Sequence, residues 1–221
     1  MTTALKPTPR RPLLIAIAGG SASGKSYLAE QIARALPRKV ARFSLDDFYF
    51  DRSHLSAERR ARINFDHPRA IDWKSIVRAV ESLRSGHPAQ IPCYDFTTHC
   101  RRLDRKEIVP RPYVVVEGLW PFYSPKLRRL FDLCVYLECD ARTRLQRRMA
   151  RDLATRGRTK SSIRVQFQTA VEPMHRRHVA PQAERADIVL RQTWGKTEVQ
   201  FLVASMRVLA RVDPKRELRT G

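Results

Sequence analysis

The eight residues Gly19-Gly20-Ser21-Ala22-Ser23-Gly24-Lys25-Ser26 constrain the fold more than any other stretch of the chain. They fit G-x-x-x-x-G-K-[ST]. Before them lies the apolar run LLIAIA at residues 13 to 18, and after them a helical pattern from Lys25 to about Leu36 that Pro37 stops. A short, wholly apolar run is what a strand buried on both faces of a parallel sheet requires. A glycine-rich loop between such a strand and a helix turns successive backbone N–H groups toward phosphate oxygens. Gly19, Gly20, Ser21, Ala22, Ser23, Gly24, Lys25, Ser26 and Tyr27 are therefore expected to hold a nucleoside triphosphate, ATP or GTP. Lys25 would reach the β- and γ-phosphates, and the Ser26 hydroxyl would serve Mg²⁺.

The remaining pattern alternates strand and helix. Val40 to Leu45 reads as the next strand and delivers FSLDDFYF, residues 43 to 50, at its carboxyl end. Asp72 is a natural N-cap for a helix in which Ile76, Val77, Val80 and Leu83 recur at helical spacing, with Gly86 as its stop. Residues from about 90 to 109 carry aromatic and β-branched side chains without a helical stripe, which predicts a projecting hairpin. Tyr113 to Val116 and Leu133 to Leu137 are further apolar strands, ending at Glu117-Gly118 and near Asp140. Asp140 can cap the basic helix ARTRLQRRMARDLATRG; Ala186 to Leu190 is a last strand, and Val199 to Val212 a terminal amphipathic helix. This order predicts an α/β protein of the P-loop NTPase fold, a parallel β-sheet flanked by helices with ligands along the carboxyl edge of the strands. Glu117 then becomes a candidate metal-shell carboxylate. With 221 residues, 43% of them hydrophobic, the chain supports one buried core over residues 13 to 192. Residues 1 to 12 read as a poorly ordered basic arm and 193 to 221 as a C-terminal helix and basic tail.

Charge is where the function classes divide. The chain carries 43 basic and 22 acidic residues, a net +21, which suits a nucleic-acid partner or an anionic small substrate. Seven arginines fall between Arg142 and Arg158, and a helix so loaded repels itself unless an anion compensates. A triphosphate can do so; Arg142 and Arg144 read as a solvated face. Elsewhere the basic pairs, Arg10-Arg11, Arg59-Arg60, Arg101-Arg102, Arg128-Arg129 and Arg176-Arg177, are scattered rather than aligned. No run approaches the ~18 apolar residues of a membrane span, and residues 1 to 12 lack the apolar middle of a signal peptide, so the cytoplasm is expected. Cys93, Cys100, Cys134 and Cys139 form no C-x-x-C pair and read as reduced thiols.

Four stretches point to the acceptor: SLDDFY, then NFDHP at residues 64 to 68, PCYDFTTH at 92 to 99, and RRMARDLATRGR at 147 to 158. In this order, around GGSASGKS and VVVEGL, they resemble the uridine kinase family, also called uridine-cytidine kinases, over roughly residues 13 to 190. Phosphoribulokinase-like and pantothenate kinase-like proteins are the nearest confusable relatives, and a P-loop protein acting on polynucleotide 5′-ends is the alternative from a different class. The resemblance implies a kinase that passes the γ-phosphoryl of ATP or GTP to the 5′-hydroxyl of uridine or cytidine in pyrimidine salvage, with Mg²⁺. It makes Asp46 the catalytic carboxylate, with Lys25 and Arg151 stabilising charge and Ser26, Asp46 and Glu117 around the metal. Tyr49 would support the acceptor and Asp66 would accept from the ribose hydroxyls. Tyr94 and His99 would face the pyrimidine, and Phe65 and Phe96 could sandwich it. Arg148, Gln166 and Arg158 would touch the nucleoside, while Arg151 and Arg156 would belong to a lid, about residues 147 to 166, over the ATP phosphates. The family is often a homo-oligomer, a dimer or tetramer.

Taken singly, several of these residues have plainer readings. His99 could be an exposed hairpin residue, Asp66 the cap of the following turn at His67-Pro68, and Tyr94 and Phe96 same-face core residues. Cys93 stands where the family pattern has an aliphatic residue, and Trp120-Pro121 where plainer aliphatics are expected. Asp46 and Asp47, on an extended backbone, would point to opposite sides, and Asp47 matches a position that admits other small polar residues.

Overall fold

The structure is a computed structural model that describes residues 11–155, 157–191 and 194–211, with Ala61 described by its backbone alone. Expectations for Arg156, for residues 1 to 10 of the arm and for the tail beyond 211 lie outside the described residues. In chain order come β1 (Leu13–Gly19), α1 (Lys25–Ala35), β2 (Val40–Ser44), α2 (Ala57–Ala61), α3 (Trp73–Arg84), β3 (Ala89–Asp95), β4 (Cys100–Ile108), β5 (Tyr113–Gly118), α4 (Pro125–Arg128), β6 (Leu133–Leu137), α5 (Ala141–Thr155) and α6 (Lys160–Gln166). The helical path then runs on through a π-helical stretch, Phe167–Val171, α7 (Glu172–Met174), a second π-helical stretch, His175–Val179, and a 3₁₀ segment, Ala180–Arg185. Finally come β7 (Ile188–Leu190) and α8 (Lys196–Leu209).

Strands β2, β5, β1, β6 and β7 form one parallel sheet in that spatial order, and β3 pairs antiparallel with β4. The sheet explains the unbroken apolar runs. In β1, Leu14, Ala16 and Ala18 join the core layer that holds α3, while Leu13, Ile15 and Ile17 join the layer holding α1 and α8. Both faces of each central strand are covered, so alternation gives no polar face. Helix α8 buries Val199, Leu202, Val203 and Met206, spaced as one helical stripe. Among the described residues no helix is long and apolar enough to cross a membrane.

The differences from expectation are local. The last strand starts at Ile188 rather than Ala186 and the last helix at Lys196 rather than Val199. The short helices α2, α4 and α6 were not foreseen, because four to seven residues cannot display a helical repeat. Arg11, assigned to the unordered arm, instead pairs with Asp132 at 2.8 Å.

The opening of the acidic pair needs a larger correction. Leu45–Phe48 is a turn of 3₁₀ helix, not extended chain, with the Ser44 hydroxyl accepting from the Asp46 N–H at 3.2 Å. Neighbouring side chains therefore diverge by about 120° rather than 180°. The turn sits on the end of β5 because Gly118 leaves space: a Cβ there would come within 2.7 Å of the Leu45 Cβ.

Candidate active site

The phosphate cradle closes the end of β1 and opens α1. Lys25 is buried, and its ammonium donates to the Gly20 carbonyl at 2.9 Å. Burial drives its pKa down while the Glu117 and Asp46 carboxylates oppose the shift. The Ser26 hydroxyl donates to Glu117 Oε1 at 3.0 Å. Burial also lifts the Glu117 carboxyl above its ordinary value, although Lys25 pulls it down. Asp46 Oδ1 is buried with no hydrogen-bond partner among the described residues. No three His, Cys, Asp or Glu side chains among the described residues gather to hold an ion alone. A hydroxyl and two carboxylates at a phosphate cradle nevertheless suit Mg²⁺, which takes few protein ligands and completes its octahedron with phosphate oxygens and water.

One face of α5 lies against this loop. Arg144, Arg147, Arg148 and Arg151 are spaced i, i+3, i+4 and i+7, so they share a helical side. Arg144 overturns the expectation of a solvated residue: it is 1% exposed. Its Nε donates to the Cys139 carbonyl at 3.0 Å, Nη2 donates to Glu172 Oε2 at 2.6 Å, and the guanidinium covers the Phe167 ring at 5.6 Å. Arg142, by contrast, is exposed as expected. Gly20 rests directly on Arg144 and His175, since a Cβ on Gly20 would meet the Arg144 side chain at 2.8 Å and His175 Nδ1 at 2.9 Å. Burial and the Arg144 charge press the His175 pKa down to about 4, so the ring behind the loop is neutral.

Nearer the cleft, Arg147 Nη1 donates to the Ser23 carbonyl at 3.3 Å, a contact for which no role was foreseen. Arg148 donates to Ser21 Oγ and to Gln166 Oε1, both at 2.9 Å, and its Nε lies 3.3 Å from Asp152. Arg158 also donates to Gln166, and Arg151 pairs with Asp152 at 2.8 Å.

Across from the cradle, aromatic rings build a wall. Tyr49 is buried with its ring 5.4 Å from Phe65 and 5.3 Å from Tyr94. Phe65 stacks on His99 at 4.5 Å and 12°, and Phe96 meets Tyr94 edge-on at 5.3 Å. His99 takes a left-handed backbone, φ 55°, at the hairpin tip. Burial, with the Asp46 and Asp66 charges, lifts the Tyr49 phenol well above its ordinary pKa. The 3₁₀ turn Pro68–Ala70 is capped by His67, whose Nδ1 accepts from the Arg69 N–H at 3.0 Å. Asp66 is thus not the cap; it lines the cleft, near enough to Arg148 for the two charges to stabilise each other.

These walls enclose a cleft of about 290 Å³. Ser21, Ala22, Gly24, Lys25, Ser26, Tyr27, Asp46, Tyr49, Phe65, Asp66, Tyr94, Phe96, His99, Glu117, Arg148, Arg151, Arg158 and Gln166 all line it. Gly19, Gly20 and Ser23 do not, and Leu119 and Arg147 line it without having been foreseen. The i, i+3, i+4, i+7 spacing was the signal for Arg147; Leu119 gave none.

The sequence profile of the family described as "Phosphoribulokinase / Uridine kinase family" matches residues 14–199. A uridine kinase of Clostridium perfringens is 39% identical over 200 residues, spanning 90% of this chain and 96% of that protein. One of Chloroflexus aggregans is 40% identical over 179 residues, 80% of this chain and 86% of the other. In fold, phosphoribulokinase from Rhodobacter spheroides superposes with a TM-score of 0.62 at 20% identity, over 83% of this chain and 71% of that one.

Proposed function

The chain belongs to the phosphoribulokinase/uridine kinase family, and from that premise we propose that it moves the γ-phosphoryl group of ATP to the 5′-hydroxyl of uridine or cytidine. It is an ATP-dependent nucleoside kinase. The observation that carries the acceptor side is Asp46 Oδ1, a buried carboxylate oxygen without a hydrogen-bond partner among the described residues, in the same cleft as Lys25 and Asp66. A carboxylate offers acceptors only, so the group it lacks is a donor, and a primary hydroxyl is one.

In this reading Asp46 orients the 5′-hydroxyl and accepts its proton as the phosphoryl group transfers. The loose transition state asks only modest basicity of the acceptor's partner. Asp66 takes the ribose 2′- and 3′-hydroxyls, since a diol supplies two donors to one carboxylate. Tyr94, Phe96, Phe65 and His99 receive the base; imidazole can donate to O4 of uracil or accept from the N4 amine of cytosine, according to tautomer. Lys25 and Arg151 stabilise charge on the transferring group, and Arg148, Gln166 and Arg158 hold the two halves of the cleft together around the substrates. Ser26, Glu117 and Asp46 would hold Mg²⁺, which when bound neutralises charge on the β- and γ-oxygens. GTP fits the loop as well as ATP does, because the cradle reads phosphates. The site belongs to cytoplasmic pyrimidine salvage.

A panel of uridine, cytidine, pantothenate, ribulose 5-phosphate and RNA 5′-ends, offered with ATP and Mg²⁺, tests the reading. Uridine and cytidine should both turn over with rates within about 100-fold of each other, or ~2.7 kcal/mol, and Asp46→Asn should lose ~10²- to 10⁴-fold in kcat. Turnover of any other acceptor ahead of the nucleosides would sink it.

A further inference from the structure

Arg101 is absent from the wall of the cleft, yet it holds the end of the turn that bears the carboxylate within it. It lies on β4, two residues past His99 and directly across from Tyr94. Its side chain leaves the hairpin and reaches the turn that bears Asp46: Nε donates to the Tyr49 carbonyl at 2.7 Å and Nη2 to the Phe48 carbonyl at 2.9 Å. Nη2 also lies 3.5 Å from Asp72 Oδ2, and the Arg101 backbone N–H donates to Asp51 Oδ1 at 3.0 Å. Burial alone would raise the Asp72 carboxyl, but hydrogen bonds from Ser75 and the Arg101 charge hold it below its ordinary value.

The Phe48 and Tyr49 carbonyls end the short 3₁₀ turn, where the helical ladder offers them no donor; the Asp72 N–H also reaches the Phe48 carbonyl at 2.9 Å, while Arg101 Nε serves the Tyr49 carbonyl. A planar guanidinium fork can serve two adjacent carbonyls and a carboxylate together; a lysine ammonium is a single point charge and cannot match that geometry. Asp72 keeps its own task without Arg101, capping α3 through Ser75 N at 3.1 Å and Ser75 Oγ at 2.8 Å. The loss of Arg101 should therefore be felt in the turn and not in the helix.

We propose that Arg101 is a positioning residue that couples the nucleoside-binding hairpin to the catalytic turn, so that a base seated against Tyr94 and His99 fixes where Asp46 stands. The proposal rests on the reading of the acceptor given above. Its consequence is a separation of binding from chemistry: nucleoside contacts survive in a variant that lacks the fork, while the carboxylate drifts from the line of transfer. A displacement of about 1 Å is enough to cost on the order of 100-fold.

Arg101→Ala and Arg101→Lys, measured for kcat, for KM of uridine and ATP, for uridine affinity by calorimetry and for thermal midpoint, decide it. The expected result is a kcat lowered by roughly 10- to 100-fold in the alanine variant and by less in the lysine variant. Uridine affinity and the KM for ATP stay within about threefold, and added guanidinium recovers part of the alanine variant's kcat. Wild-type kcat in both variants overturns the proposal, as does a loss expressed in uridine KM alone. Should the alanine variant not fold, the lysine variant decides by the same split. A wild-type enzyme that phosphorylates no nucleoside places the failure in the acceptor reading; nucleoside turnover with unaffected Arg101 variants places it in this coupling alone.

Discussion

Residues 19 to 27 make the phosphate cradle from one uninterrupted stretch, whereas the acceptor wall is drawn from four: Asp46 and Tyr49, Phe65 and Asp66, the hairpin that carries Tyr94 to His99, and Arg148 to Gln166. The first half presents mostly backbone N–H groups, so its chemistry is fixed once the chain turns between β1 and α1. The second half presents side chains, so its chemistry depends on how the four segments are held together. Arg148 is the direct bridge between them, with one amino group on Ser21 and the other on Gln166. What the contrast teaches is that donor binding should resist change everywhere except at a few positions, while acceptor recognition should fail in several separable ways.

The sharpest break on the donor side is Lys25→Met. The ammonium is buried and faces Glu117 and Asp46, so its removal takes charge stabilisation from the transferring group and leaves two carboxylates facing one another. A fall of about 10³-fold in kcat/KM, ~4 kcal/mol, is expected from steady-state kinetics. A loss confined to the KM for ATP would mean the residue binds phosphate without assisting transfer.

Second comes Arg144→Met, which tests the floor beneath the loop. Arg144 and Glu172 are 2% and 15% exposed at their side chains, and deleting one partner leaves the other's charge buried. Breaking such a pair costs about 3 kcal/mol; Arg176, which also bonds Glu172 at 2.9 Å, should soften that figure. Chemical denaturation measures it. On the acceptor side the counterpart is Asp66→Asn, which would remove the charge-assisted contact proposed to the ribose diol. The KM for uridine should rise about 10- to 100-fold, ~1.4–2.7 kcal/mol, with the KM for ATP unmoved; a matching rise for both substrates would erase the distinction between the halves.

The same contrast decides what could be read from sequence. The P-loop was legible because strand, loop and helix are consecutive, and the sheet because two-sided burial leaves unbroken apolar runs such as LLIAIA. The acceptor residues became legible only through resemblance: nothing in the spacing of Asp46, Asp66 and His99 brings them to one cleft. Arg144 reads as solvated because a like-charged helix shows no partners in sequence: Phe167 comes from a π-helical stretch and Glu172 from the three-residue α7 that follows it, neither with a clear sequence repeat. Arg147 was within reach, since its offset from Arg144 and Arg151 marks a face. Arg101 looked like one of several scattered basic pairs; its role lies in a fork that reaches across the fold to residues about fifty positions earlier.

The smallest expected effect separates Asp46 from Asp47, and its sign is set by linkage. Burial, reinforced by the Asp46 charge, pushes the Asp47 carboxyl up from 3.8 to about 6, against the Tyr94 N–H and Lys106, which favour the ionised form. The folded state then binds the proton more tightly than the unfolded state does. Between about pH 4 and pH 6 the native protein holds the extra proton, so stability falls as pH rises through that window and stays at the lower level above it. Asp47→Asn removes the ionisation while leaving an oxygen for the Tyr94 N–H. The variant should be more stable than wild type by about 1–2 kcal/mol at pH 7.5, a figure discounted for partial solvent screening. The two proteins should converge near pH 4 in thermal melts. Its kcat should stay close to that of the wild type, because Asp46 lines the cleft and Asp47 does not. A kcat loss equal to that of Asp46→Asn would show both carboxylates to be part of the acceptor's machinery, and the 3₁₀ turn would then have to present the pair together rather than divide them.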